Sequence, residues 1–193
     1  MWFFSQVLTD MQVRNYILTL LASFMDGNKG MEQFHIWNGG GGNGKSKIIE
    51  LYQQTLGEYC GTANITLLTG KRADSSAPTP DLLATKGKRF IVLQEPNENE
   101  KIQVGKMKEL SGGDKITCRG LYQREPLEFK PQFTMCLTCN HLPSAPADDG
   151  GTWRRMRVTD FESTFTKVEE LSEHQRKTCK VSDKLEDQMD VAA

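Results

Sequence analysis

The sequence has almost no net charge, no long apolar run, no paired-cysteine framework and no internal repeat. Its 24 lysines and arginines are balanced by 25 aspartates and glutamates, for a net charge of −1. Nothing therefore draws the whole chain to nucleic acid or to an anionic membrane, and any such contact has to come from a local patch. No stretch approaches the length of apolar sequence that a membrane span requires, so none is expected. Met1-Trp2-Phe3-Phe4 lacks the basic start of a secretory signal. The five cysteines, at positions 60, 118, 136, 139 and 179, are odd in number and lack a disulfide-like spacing, which points to a reducing, intracellular compartment. Cys136 and Cys139, with His141 nearby, look like half of a zinc site or a redox pair. No second pair completes the set, and in a strand the two thiols face opposite sides. His35 and His174 have no patterned partner, so core filling or solvent exposure accounts for them.

What is present suits one globular domain: 193 residues, 37% hydrophobic and 25% charged. The charge is unevenly placed. Residues 101–130 hold seven basic and four acidic side chains, a net of +3, whereas nine acidic and five basic residues from Asp160 onward give −4. The middle of the chain is the better place for phosphate contacts. The abrupt apolar beginning and the acidic end at Ala193 suggest a piece of something longer. Residues 1–30 are expected to be a helical lead-in, 31–165 the main domain, and 166–193 an acidic helical or disordered tail, cut short.

Hydrophobic spacing predicts a helix over residues 5–25, closed by Asp26-Gly27-Asn28. Residues 34–37 read as a buried strand, followed at once by a glycine run and then by a helix over 47–56 that stops at Gly57. A polar Ser/Pro loop is expected over 71–80, a short helix over 81–85, and a two-sided buried strand over 90–93. A helix over 104–110 precedes a β-hairpin made of 115–119 and 127–130. A strand over 133–138, a loop over 144–151 and a last strand over 156–161 complete the pattern. Alternating strands and helices of this kind build an α/β sandwich.

The chemistry centres on Gly39-Gly40-Gly41-Gly42-Asn43-Gly44-Lys45-Ser46, a Gly-x-x-x-x-Gly-Lys-Ser pattern between a strand and a helix. Glycines let main-chain N–H groups close on phosphate oxygens. Lys45 supplies positive charge to the outer phosphates, Ser46 offers a hydroxyl to Mg²⁺, and the helix turns its positive end to the anion. Lys47 completes the set of nucleotide-contacting candidates. Glu95, just past the apolar strand at 90–93, is placed to hold a Mg²⁺-bound water or to polarise the attacking water. Asn140 follows a second apolar strand, where an amide orients that water or touches the γ-phosphate. Arg154 and Arg155 follow a glycine-rich loop and Trp153, and an arginine is the usual charge for stabilising phosphoryl transfer, often from a neighbouring subunit.

In this order the motifs resemble the superfamily 3 helicases, particularly the poxvirus-type primase-helicases of large DNA viruses and related phages. The resemblance covers about residues 15–165. It is carried by Trp37 through Ser46, Gln94-Glu95-Pro96, Met107 through Tyr122, Phe129 through Phe133, Leu137 through Pro143 and Asp149 through Phe161. It implies an AAA+-like P-loop NTPase, a three-layer sandwich around a mostly parallel sheet, with ATP and Mg²⁺ bound between the subunits of a homo-hexameric ring around single-stranded DNA. It implies that Lys45 and Ser46 bind phosphate and metal, that Glu95 is the acidic Walker B residue, that Asn140 is the polar sensor, and that Arg155, or else Arg154, acts on the next subunit. The DNA-binding hairpin of such proteins falls within the basic segment, with Lys115, Arg119, Tyr122 and Arg124 as candidates for following the backbone and stacking on a base. The setting it implies is a viral replication site in the host cell, with a primase domain or replication partners outside this chain.

Gln94 departs from the pattern, since many P-loop ATPases carry two adjacent acids at this strand end. Three functions stay open at this point: a replicative helicase motor, a P-loop ATPase or kinase of another role, and a nucleotide-dependent DNA-binding module without efficient turnover. A kinase would need an acceptor pocket and an arginine-rich lid, against which the basic hairpin argues.

Overall fold

Two strips of apolar sequence with opposite neighbours set the architecture, because each buried strand alternates its side chains between two faces. The computed structural model describes residues 2–27, 31–70, 77–94, 101–143 and 149–166. Its strands are β1 (Phe34–Asn38), β2 (Cys60–Ala63), β3 (Phe90–Leu93), β4 (Ile116–Cys118), β5 (Leu127–Phe129), β6 (Thr134–Cys139) and β7 (Met156–Asp160). Five of them form one sheet in the order β2-β3-β6-β1-β7, and β4 and β5 pair separately. Every pairing within the five-stranded sheet is parallel. All five carboxyl ends consequently lie along one edge of the sheet, which is where ligands bind in open α/β folds.

The helices are α1 (Trp2–Val7), α2 (Met11–Asp26), α3 (Lys45–Leu56), α4 (Thr66–Thr69), α5 (Pro80–Leu83), α6 (Val104–Ser111) and α7 (Gly150–Arg155). They cover both faces of the sheet. On one face Trp37, Phe90, Val92 and Cys136 pack with Ile17, Leu21 and Phe24 of α2 and with Ile48 and Ile49 of α3. Phe24 stacks on Phe90 with ring centroids 4.6 Å apart. On the other face Ile36, Ile91, Leu93, Met135 and Leu137 meet Leu68, Met107 and Leu110, together with Ile116 and Phe129 of the hairpin. Burial of each such large side chain stabilises the fold by about 1.5–3 kcal/mol.

Three expectations need correction. The single helix predicted over residues 5–25 is two helices, because Asp10 adopts an extended backbone and its carboxylate accepts hydrogen bonds from the N–H groups of Gln12 and Val13. That is an N-cap, and it starts a new helix instead of continuing the old one. The strand β2 was not foreseen: Cys60-Gly61-Thr62-Ala63 has little apolar pattern, and pairing with β3 in register Cys60↔Phe90 creates it. The predicted loop over 144–151 ends inside α7, whose start is capped by Asp149 accepting from Gly151 N–H. Two glycines in its first turn had hidden that helix from propensity. The hairpin, by contrast, forms where expected, with Ile116 opposite Phe129 and Cys118 opposite Leu127.

Candidate functional site

The loop between β1 and α3 is shaped by backbone angles that favour glycine. Gly41, Gly42 and Gly44 have φ of +96°, +58° and +81°. At Gly39 the constraint is space, since a Cβ there would lie 2.1 Å from Asn43 Nδ2 and 3.0 Å from the Phe161 carbonyl oxygen. No side chain caps the start of α3. The positive end of this twelve-residue helix faces the loop. Lys45 opens this helix and is buried. Its Nζ donates to the Gly39 carbonyl at 2.6 Å and to Asn43 Oδ1 at 3.1 Å. Asn43 is buried too, and its Nδ2 donates to the Phe161 carbonyl at 3.3 Å. The lysine amine and the helix start thus lie together at the glycine loop, an arrangement suited to a polyphosphate.

Ser46, the residue after Lys45, is exposed in the first turn. Lys47 turns away and pairs with Glu50 at 3.1 Å on the exposed side of α3. Gly40 has open space around its Cβ position.

Parallel register brings the other candidates to the same edge. Asn38 is aligned with Cys139, and Gly39 N–H donates to the Cys139 carbonyl at 3.1 Å. Asn140, the next residue, is exposed beside the loop's first glycine. Leu93 is aligned with Leu137, and Thr138 Oγ1 donates to the Leu93 carbonyl at 3.4 Å. Gln94, the residue after β3, therefore lies near this edge and is exposed. Glu95 lies outside the described residues.

Sequence reasoning missed the residues that brace the loop from behind. A Cβ at Gly44 would meet Val7 Cγ2 at 2.6 Å, so α1 lies directly against the loop. Past β7, Phe165 N–H donates to the Gly42 carbonyl at 2.7 Å, and Ser163 Oγ donates to the Gln6 carbonyl at 2.9 Å. No local pattern announces these contacts, because they join residues far apart in the chain, by more than a hundred positions for Phe165 and Ser163.

The two arginines of α7 differ. Arg155 is largely buried, forms an ion pair through Nη2 with Glu32 Oε2, and donates from Nη1 to the Gly151 carbonyl at 3.2 Å. Arg154 is exposed. The helix that carries them is anchored at its other end by Asp149, which accepts from Thr152 Oγ1 at 2.9 Å and pairs with Lys108 of α6. Hydrogen bonding from Lys108 and then from Thr152 holds the Asp149 carboxyl down to about 2. This Lys108–Asp149 tie was not anticipated, although Asp149 ahead of Gly150-Gly151 is a legible capping signal.

The hairpin presents its turn to solvent. Tyr122 is fully exposed with φ of +63°, and Lys115 and Arg124 are exposed as well. Arg119 is held closer in: its N–H donates to Thr79 Oγ1 at 3.1 Å, and its carbonyl accepts from Thr79 N–H at 2.8 Å. Cys136 and Cys139 belong to opposite faces of the sheet, as strand geometry requires. Among the described residues no group of histidines, cysteines and carboxylates is arranged to hold a metal by itself. No described helix is long and apolar enough to cross a membrane.

These elements define an α/β protein with a parallel sheet and a lysine-bearing glycine loop at its carboxyl edge. Residues 37–155 match the profile of DUF5906, described as a family of unknown function, and the chain belongs to that family. It is 44% identical over 175 residues to an Acanthamoeba polyphaga mimivirus protein named "Putative helicase", covering 91% of this chain and 18% of that protein. A Frog virus 3 protein of the same name is 33% identical over 166 residues, covering 84% of this chain and 17% of its own length. An African swine fever virus protein named "Putative primase" is 32% identical over 123 residues, or 63% of this chain and 13% of that protein. The chain thus spans less than a fifth of the length of these relatives, all of them from large DNA viruses. In fold it is similar to the apo structure of the NrS-1 C terminal region, with a TM-score of 0.64 at 14% identity, over 91% of this chain and 41% of that one.

Proposed function

We infer that this chain is the ATP-driven motor segment of a viral DNA-replication helicase of the superfamily 3 type, with an AAA+-like P-loop site. The observation that carries the reading is the glycine-bounded start of α3, which no side chain caps, with the Lys45 amine bonded to the Gly39 carbonyl and Asn140 at the adjoining strand end. Relatives named for helicase and primase activity, each about five times as long, support a role in replication.

In this reading the triphosphate lies along Gly39 to Lys47, and the Lys45 amine leaves the Gly39 carbonyl and Asn43 to meet the β- and γ-phosphates. Ser46, exposed in the first helical turn, fits as a hydroxyl ligand for Mg²⁺, and Glu95 would share that ion through water. When bound, Mg²⁺ neutralises the charge that develops on the transferring phosphate. Asn140 orients the attacking water. An arginine at the end of α7 acts on the nucleotide of the neighbouring subunit in a hexameric ring: Arg155 by motif position, Arg154 by exposure. Lys115, Arg119, Tyr122 and Arg124 grip single-stranded DNA with little regard to sequence. A primase domain belongs to the remainder of the longer polypeptide.

The test is ATPase activity of the assembled protein with and without single-stranded DNA, then strand separation on a forked duplex, with Lys45→Ala as control. Stimulation and unwinding that Lys45→Ala abolishes are expected. Absence of both in an assembled, ATP-binding protein would sink the motor reading. Gln94, standing where a second acid is common, favours one alternative, a nucleotide-dependent DNA-binding module. ATP-dependent DNA binding without phosphate release would mark that outcome.

A further inference from the structure

The helix that carries Arg154 and Arg155 is poorly equipped to hold its own position. α7 has six residues, opens on Gly150-Gly151, and buries Thr152 alone. Glycine is among the residues least suited to a helix, and a helix this short does not persist in water unaided. Its direction is therefore imposed by a tie at each end, Glu32 to Arg155 at one and Lys108 to Asp149 at the other. We propose that Lys108 is a positioning residue of the motor: by holding Asp149 it aims α7, and with it the arginine offered to the neighbouring subunit. The proposal rests on the motor reading above and holds whether that arginine is Arg154 or Arg155.

Both carboxylate oxygens of Asp149 are engaged. Oδ1 accepts from Gly151 N–H at 3.0 Å, and Oδ2 accepts from Thr152 Oγ1 at 2.9 Å and from Lys108 Nζ. The first two bonds fasten the carboxylate to α7, and the third fastens it to α6. Gly151 leaves room for the amine, since a Cβ there would lie 3.1 Å from Lys108 Nζ. An ammonium at the positive end of a helix is unfavourable by itself. The carboxylate between them is what makes this position of Lys108 favourable.

The other end of the tie is rigid. Met107 and Leu110, on either side of Lys108, are buried in the core shared with Ile116 and Phe129 of the hairpin. Lys108 thus carries the placement of a well-packed helix across to a poorly packed one. Magnitudes decide where its effect shows. Each side chain of the pair is 33% exposed, and an ion pair so close to solvent adds little to stability. Displacing a group that acts on the transferring phosphate by about 1 Å, in contrast, costs on the order of 10²-fold in rate. The tie therefore acts on turnover much more than on folding.

Steady-state ATPase of the assembled protein over a range of ATP concentrations separates positioning from nucleotide binding and from folding. Lys108→Ala should lower kcat about 10²-fold, leave KM for ATP within about threefold, and lower Tm by no more than about 4 °C. Asp149→Asn keeps a capping side chain but drops the charge, and should reproduce that loss of kcat. The double variant should be no slower than either single one, because both remove the same tie. Lys108→Arg restores a cation and should bring kcat back to within about tenfold of wild type. Lys108→Ala subunits mixed with Lys45→Ala subunits should regain activity, since the neighbour then supplies a well-placed arginine. Unchanged kcat in Lys108→Ala, a raised KM with kcat intact, additive losses in the double variant, or no recovery in confirmed mixed assemblies would each overturn the assignment and leave the motor reading standing. An assembled wild type without ATPase activity would overturn the motor reading, and this one with it.

Discussion

Arg155 is tied to Glu32 of its own chain by an ion pair between Nη2 and Oε2, while its neighbour Arg154 stands exposed. The pair joins the end of α7 to the segment entering β1, and Arg155 Nε is buried without a partner among the described residues. Removing the Arg155 side chain should lower stability by about 1–3 kcal/mol, read as a lower Tm, because a largely buried charged hydrogen-bonding group is lost. Arg154→Ala should change stability by no more than roughly 0.5 kcal/mol. If Arg154 is the residue offered to the next subunit, its loss should cut ATPase activity on the order of 10³-fold. Mixing Arg154→Ala with Lys45→Ala subunits should restore part of that activity. No recovery in confirmed mixed assemblies would refute action across the interface.

Gly44 and Val7 form a packed joint between the loop and α1. Gly44→Ala places a methyl in Val7 and forces an L residue to φ of +81°, two separate costs. The expected loss is about 1–3 kcal/mol by chemical denaturation. Val7→Ala should destabilise as a lone core truncation, yet the double variant should be less unstable than the sum of the two. The non-additive part measures the steric contact alone, since the backbone strain remains.

His35 should make the fold sensitive to mild acid. It is buried in β1, its Nδ1 lies 3.3 Å from the Tyr16 hydroxyl, and burial, reinforced by Arg157, pushes its pKa down to about 4. Between about pH 6.5 and 4 the unfolded chain takes up a proton that the folded chain refuses, so stability falls as pH drops through that window and is fully present above it. The loss is on the order of 3 kcal/mol. Denaturation of His35→Gln across the same range should show a correspondingly shallower slope, and identical slopes would exclude His35 as the cause.

The hairpin should bind nucleic acid through charge and stacking. Replacing Lys115 and Arg124 with alanine should weaken single-stranded DNA binding across all sequences and flatten its salt dependence, with phosphate binding at the loop intact. Tyr122→Ala should cost about 1–3 kcal/mol of DNA affinity with no change in salt slope, as expected for a stacked base. Filter binding over a salt series checks both. A loss of nucleotide binding instead would place these residues at the other site.

The strands at 34–38, 90–93 and 134–139, the helix after the glycine loop, and the loop itself were readable because their signals are local: apolar periodicity, glycine angles and a lysine-serine pair at a helix start. The split between α1 and α2 was readable too, at Asp10, but an uninterrupted apolar stripe outweighed the cap. Strand β2 was not legible, since an edge strand of Cys, Gly, Thr and Ala owes its existence to the ladder with β3.

By itself, then, the sequence determined an α/β chain with a glycine loop running into a lysine-bearing helix, and named the side chains proposed to serve it. Only the tertiary structure decided how they meet. Parallel pairing of β3, β6 and β1 set Gln94, Asn140 and Gly39 along one edge, because register, not sequence spacing, decides which strand ends are neighbours. Folding likewise brought Val7 and Phe165 against the glycine loop and bound Arg155 to Glu32 while leaving Arg154 exposed. Such contacts depend on chain segments far apart in sequence, and no residue pattern within either segment carries that information.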